Sequence, residues 1–532
     1  SEGCPQRGRW RMLKGTFPWG SFMLGTGSLL RSSRRVLVSS LLLASSLLPQ
    51  QAQAFCGFFV SGADASLSNN ASQVVLLRKG NRTVMSMSNN YQGPPQDFAM
   101  VVPVPVVLQK EQVKVLSPEV FKHVDQLSAP RLVEYWEQDP CYVPPPSPPP
   151  GSMVYPSAMP PPSPRGGGGA DFGVKIEAKF EVGEYQILIL SAKESGGLEK
   201  WLRFNKYNIP KGAAAALAPY IRDQMKFFVA KVDIKKVQHD SHGAVVLSPL
   251  RFAFDAAELR LPVRLGLLNA TGQQDLLVYV LHPDKRFEVA NYPNLFIPTN
   301  LEVEDGVRKN FPGFYAELFD ETLRRNNGKG VVTEYSWQTT SCDPCPTPPL
   351  EASDLFTLGD DSFAGAADPS APGAPPSPMG GRASRSMPYY GSPPSYVLTR
   401  LHTRYDQKTL SDDLIFREAP AVVGGRANWE GGLGDQGAKI EKGGTSNFQG
   451  RYIIRHYWEG KVQCKNPHYG VWGGPPGGGY NPGGSGPIEP AQDLANAPRG
   501  KVSLPTTITS GLPAYGIPAR PRPLRPGESR PK

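Results

Sequence analysis

The stretch from Asn89 to Leu108, "NNYQGPPQDFAMVVPVPVVL", is apolar at nearly every position from Phe98 onward, yet Pro103 and Pro105 interrupt it. A helix cannot run through both prolines, because each lacks an N–H and its ring meets the preceding turn. At a period of two, Phe98, Met100, Val102, Val104, Val106 and Leu108 line one face, while Asp97, Ala99, Val101, Pro103, Pro105 and Val107 line the other. The expectation is an eleven-residue strand laid over a core. Residues two apart turn their N–H groups to the same lateral side, so the prolines blank one edge and Val102, Val104 and Val106 pair on the other. That describes an edge strand closed to further pairing, and it disfavours peptide docking there.

The segments around it extend the pattern. "SQVVLLR" and "RTVMSMS" flank "KGN", a hairpin signal with a glycine able to take positive φ. "SPEVFKHVDQLSAPRLVEYWEQ" reads as two short helices, the first capped by Ser117 with Pro118 in its first turn, the second restarted by Pro130. Beyond a break, "KIEAKFEVGEYQILILSAKE" gives two strands around Gly183, and "GLEKWLRFN" a helix. "IPKGAAAALAPYIRDQMKFFVAKVDI" runs from helix into strand. "VVLSPLRFAFDA", "LRLPVRLGLLNA", "DLLVYVLHP" and "VVTEYSWQT" read as strands, and "FPGFYAELFDETLRRNNGKG" as a helix stopped by glycine. Three further strands lie in "YVLTRLHTRYD", "DDLIFREA" and "GRYIIRHYWEGKV". The fold class expected is α+β, mostly antiparallel sheet with several short helices.

Proline and glycine, 56 of each, punctuate this body. The boundaries read as an upstream extension and leader over 1–54 and a first block over 55–142, then a Pro/Gly linker over 143–169. A second block over 170–346 precedes a linker over 347–394, and a β-rich block over 395–470 precedes a Gly/Pro/Arg tail over 471–532. The linkers and tail hold too little apolar area to offset the entropy of ordering them. The formal charge of +10 is concentrated at the ends; residues 55–498 carry 43 basic and 45 acidic side chains. A nucleic-acid partner therefore loses its support.

From Met23 the leader shows Arg31, Arg34 and Arg35, an apolar run from Val36 to Leu48, then Ala52-Gln53-Ala54. Those are the charged region, apolar core and small-residue cleavage site of an export signal, with cleavage expected after Ala54. The run is too short for a permanent bilayer helix, so no integral span is expected after cleavage. "SRRVL" also fits a twin-arginine signal; ordinary secretion is favoured because the apolar core is strong.

Cleavage leaves Cys56, Cys141, Cys342, Cys345 and Cys464 as disulfide candidates in an oxidising compartment. The pairing expected is Cys56 with Cys141, and one cysteine of 342/345 with Cys464. "CDPC" at Cys342 to Cys345 is also the best redox candidate, but "PTPP" follows it where a redox site needs a helix N-terminus, so a structural disulfide is preferred. "HDSH" at His239 to His242 lacks a readable third ligand, so no metal is expected, and no cofactor motif is present. His402 and His456 lie among arginines on strands, where surface pairing is the default expectation.

"FCGFFV", "ASQVVLLRKGNRTVMSMSNNYQGPPQDFAMVVPVPVVL", "APRLVEYWEQDPC", "GLEKWLRFNKYNIP" and "YVLTRLHTRY" resemble the bacterial domain-of-unknown-function family 2330. The resemblance covers roughly Phe55 to Trp472 without the linkers. It implies an exported bacterial protein and supplies no catalytic residue or cofactor. The function expected is a non-enzymatic envelope or secreted binding or scaffold protein, with envelope polymers or surface proteins as partners through the basic tail. The alternatives are a thiol–disulfide oxidoreductase using Cys342 and Cys345, and a hydrolase with a site assembled from distant strands.

Overall fold

The computed structural model describes residues 58–60, 68–92, 99–142, 174–205, 207, 209–239, 245–269, 272–363, 395–426, 434–476, 484–491, 494 and 497–525. All lie in one unit, Gln51–Lys532. The leader, Cys56, His242 and most of the linkers fall outside the described residues.

The chain opens with β1 (Phe58–Val60), then the hairpin β2 (Ser68–Lys79) and β3 (Arg82–Gln92), turning at Gly80 with φ +58°. β4 (Ala99–Val104) is the quoted stretch. It is shorter than expected and buried on both faces. β5 (Val113–Val115) leads to α1 (Pro118–Ser128), where the Ser117 hydroxyl accepts from the Glu119 N–H. The second expected helix is instead a strand, β6 (Arg131–Glu137). β7 (Val174–Val182) and β8 (Tyr185–Ala192) turn at Gly183, also at positive φ, and α2 (Ser195–Phe204) and α3 (Ala213–Arg222) follow.

Then come β9 (Lys226–Val232), the two-residue pair β10 (Gln238–His239) and β11 (Val245–Val246), β12 (Leu250–Asp255) and β13 (Leu259–Leu261). Residues Gly266–Asn269, expected as strand, form a 3-10 turn. β14 (Gln274–His282), β15 (Arg286–Val289), β16 (Asn294–Phe296) and β17 (Leu301–Glu302) precede α4 (Phe311–Arg324), which Asn310 caps by accepting from the Gly313 N–H. β18 (Val331–Gln338) and α5 (Ala352–Leu358) lead to β19 (Val397–Tyr405), β20 (Leu414–Ala419), β21 (Ala421–Gly424), β22 (Lys439–Glu441) and β23 (Asn447–Gln449). β24 (Arg451–His456), β25 (Trp472–Gly473), β26 (Ile488–Pro490) and α6 (Leu504–Thr507) complete the series.

An eleven-stranded sheet runs β22-β21-β23-β18-β19-β14-β2-β3-β12-β5, with β16 beside β18, and a five-stranded sheet runs β1-β4-β9-β8-β7. Most neighbours are antiparallel, but β2 and β14 pair in parallel, as do β6 and β24. The two sheets face each other across the largest core, where Val74, Leu76 and Met85 meet Met100, Val102, Ile187 and Phe228. The far face of the smaller sheet, with Ala99 and Val101, packs on Trp201, Leu202 and Leu217 of α2 and α3. The far face of the larger sheet, with Val75 and Leu77, packs on Phe121, Val124 and Leu355 of α1 and α5. β4 is therefore an inner-layer strand, which is why it needs an apolar residue at every position.

The edge reading of β4 is corrected in part. β9 pairs along its whole length, and β1 covers the other side opposite Ala99 to Val101 only. β1 stops two residues short of Pro103, so on that side no strand pairs opposite the prolines. Two segments expected to stay unpacked contain packed pieces. Leu350, Leu355 and Leu358 are buried beneath the larger sheet. In the tail, Leu504, Ile508, Leu512 and Ile517 close over α4.

Candidate functional site

Three places gather chemistry: the disulfides, a buried charge network, and a cleft. Cys141 is bonded to Cys464 and Cys342 to Cys345, which corrects both expected pairings. The reason is β6. As a strand parallel to β24, it brings the C-terminal flanks of both to one place, Cys141 beyond β6 and Cys464 beyond β24.

The Cys342–Cys345 ring follows β18 and a turn, and no helix begins until Ala352. Cys342 leans half-buried against the Trp337 and Leu350 cluster, whereas Cys345 is exposed. The ring is held from several sides. Arg131 Nη1 donates to the Pro344 carbonyl at 2.8 Å, the Gln449 amide donates to the Asp343 carbonyl, and Arg426 pairs with the Asp343 carboxylate at 3.3 Å. Arg131 is fully buried with no carboxylate in direct contact among the described residues; its guanidinium also donates to the Leu127 carbonyl. Burial draws its guanidinium down to about 10, Tyr335 opposing and the Arg400 and Arg451 cations adding to the fall.

Beside this lies a polar network inside the larger sheet. β18 and β19 change register between Thr333 and Tyr335, a bulge that places Glu334 out of the regular alternation. Its carboxylate accepts from Arg400 Nε at 2.6 Å, His402 Nδ1 at 2.7 Å and the Tyr315 hydroxyl of α4. His402 Nε2 faces Asp275 Oδ1 at 3.1 Å, and Arg400 Nη1 donates to Asp125 Oδ1 at 2.6 Å. With a carboxylate at each ring nitrogen, His402 is satisfied only as an imidazolium donating twice. Burial pulls His402 down, but Glu334 and Asp275 outweigh it and raise it. Burial pushes Glu334 up, but His402, Arg400 and Tyr315 bring it down to about 2.

The expectation of surface pairing at His402 is thus corrected: its side chain is 1% exposed and stacks on Phe319 at 3.9 Å. The sequence carried a signal for this. Arg400, His402 and Arg404 recur at period two, a cationic face on a strand too apolar to be solvated, opposite the acids Asp275 and Glu334. His456 is partly exposed and meets Glu134 at 2.8 Å. Only the backbone of His239 is described, and among the described residues no cluster of acidic, histidine or cysteine side chains could hold a metal ion.

A cleft of about 300 Å³ opens where the two sheets meet β13. Met85, Pro103, Pro105, Met225, Phe254 and Pro262 form its apolar lining. Arg260 ties Asp223 and Glu258 across it at 2.9 and 2.8 Å. Three of the tail arginines are engaged within the chain: Arg499 with Asp320, Arg520 with Glu304 and Arg525 with Glu137. No described helix is long and apolar enough to cross a membrane.

A family model described as "Uncharacterized protein conserved in bacteria (DUF2330)" matches residues 50–417, more than half of the chain. No curated protein and no solved structure matches.

Proposed function

The chain belongs to this uncharacterised bacterial family, and from that premise we propose that it is exported and acts outside the cytosol as a non-enzymatic binding or scaffold component of the envelope. The observation that carries the reading is the Cys141–Cys464 crosslink, closed over a sequence separation of 323. Such a bond persists where thiols are kept oxidised. The buried ionisable groups support the second half. Glu334, His402 and Arg400 are committed to one another behind α4, so they hold the sheet together and present nothing to a substrate. The cleft offers contact in place of chemistry: thioether, proline and phenyl surface with a charged rim, suited to seating an apolar group of a partner. Partners are envelope polymers or other surface proteins. Three tail arginines are already engaged within the chain, which favours the folded surface over the tail as the contact.

The test is fractionation of a bacterium expressing the chain, with thiols alkylated before and after reduction. The expected result is a processed chain outside the cytosol whose four described cysteines label only after reduction. Unprocessed chain in the cytosol with reduced thiols refutes the reading.

A further inference from the structure

The two disulfides differ in what they contribute. Cys141–Cys464 joins segments 323 residues apart, and Cys342–Cys345 joins residues three apart. Loop-closure entropy grows with loop length, so the short ring constrains the unfolded chain far less than the long one. The short ring is also the more accessible, because Cys345 is exposed while Cys141 and Cys464 are both partly covered. The ring is braced through its two middle residues, Asp343 by Arg426 and Pro344 by the buried Arg131. Beneath the ring, Arg131 Nε, Gln449 Oε1 and the Tyr335 hydroxyl have no hydrogen-bond partner among the described residues, which leaves an opened ring new groups to bond.

We propose that Cys342–Cys345 is a thiol-exchange site, opened by dithiol reductants through attack at the Cys345 sulfur, while Cys141–Cys464 stays closed as the structural crosslink. A thiolate of the dithiol attacks Cys345 Sγ. A new S–S bond forms as the Cys342–Cys345 bond breaks, and Cys342 leaves with the electron pair as a thiolate. The second thiol of the reductant then displaces Cys345. The reductant ends as its own disulfide, two electrons have passed to the protein, and both cysteines take up protons. The inference rests on the exported reading only for where such a dithiol is met; the chemistry is tested on purified protein.

The experiment treats the oxidised full-length chain with dithiothreitol, quenches by alkylation at intervals, and follows each cysteine by peptide mass spectrometry. Opening of Cys342–Cys345 is expected to outpace Cys141–Cys464 by at least about tenfold. In a second arm, Cys342→Ser is expected to form a mixed disulfide with glutathione disulfide at Cys345 about tenfold faster than Cys345→Ser does at Cys342. Equal opening rates, or earlier opening of the long-range bond, overturn the proposal even if the protein proves to be exported. So does equal labelling of the two variants. The wild-type comparison stands on its own if either variant fails to fold.

Discussion

Replacing Glu334 by Gln keeps the side chain's shape and removes the charge on which His402 and Arg400 converge. Its carboxyl falls from the ordinary 4.5 to about 2 in the folded protein. At about 1.4 kcal/mol per pH unit, that depression is worth ~3 kcal/mol at neutral pH. The sign is set by the direction of the shift. A depressed carboxylate stabilises above its unfolded pKa and loses that contribution as pH falls through the folded one. In urea titrations at pH 7, Glu334→Gln is therefore expected to lose ~3 kcal/mol relative to the wild type. The gap should shrink to about half near pH 3, where the carboxyl of the unfolded chain is protonated while the folded one still holds its charge. His402 adds the opposite slope. Raised in the fold, its contribution is full below about 6.5 and fades as pH rises through the folded value, so wild-type stability also declines in alkali. A variant as stable as the wild type at pH 7, or a gap that does not narrow between pH 4.5 and pH 3, refutes the view of Glu334 as the anionic centre of the sheet.

Other perturbations follow from the packing. Cys141→Ser is expected to cost about 5 kcal/mol and Cys342→Ser about 2 kcal/mol on loop-closure grounds, so thermal unfolding should separate them clearly; equal losses would contradict that ordering. Deleting residues 499–532 removes four buried aliphatic side chains, Leu504, Ile508, Leu512 and Ile517, worth about 6 kcal/mol or more. An unchanged melting temperature would mean the tail does not pack on α4. Gly425 takes φ +72°, and an added Cβ would lie 1.9 Å from the Gln449 carbonyl oxygen. Gly425→Ala should therefore destabilise by about 2 kcal/mol or more in the same urea assay.

Much of the framework is legible in the residues because most strands and helices carry local signals. The β2–β3 hairpin has its glycine turn, α1 its Ser117 cap, and β4 its unbroken apolar run with prolines that rule out a helix. β6 was not legible. Leu132, Val133 and Trp136 are spaced as a helical stripe, and only the tertiary partner β24 shows that the same run is a strand nearly buried along its length. That misreading propagates to the cysteines, since the Cys141–Cys464 bond depends on β6 lying beside β24. The tail carries no packing signal because its few apolar residues are scattered among prolines and glycines. Leu504, Ile508, Leu512 and Ile517 nevertheless join one core with α4, a matter of tertiary fit that no local pattern records. The charge network was half visible, as the cation period of β19, but the bulge that places Glu334 depends on pairing geometry.

The parallel contact of β6 with β24 also governs when this protein can finish folding. The flank of β6 waits for a strand more than 300 residues later, and β2 waits for β14 some 200 residues later. A chain emerging N-terminus first from a ribosome or a translocation pore therefore holds its opening hairpin without β14 until about half of it has appeared, and β6 without β24 until most of it has. Such long-range closure slows folding and exposes unpaired strands meanwhile. Closure around β6 is therefore the late event, so nascent chains cut short before Arg451 should be protease-sensitive at Arg131–Glu137 while the five-stranded sheet, whose strands all lie before Asp233, is already paired.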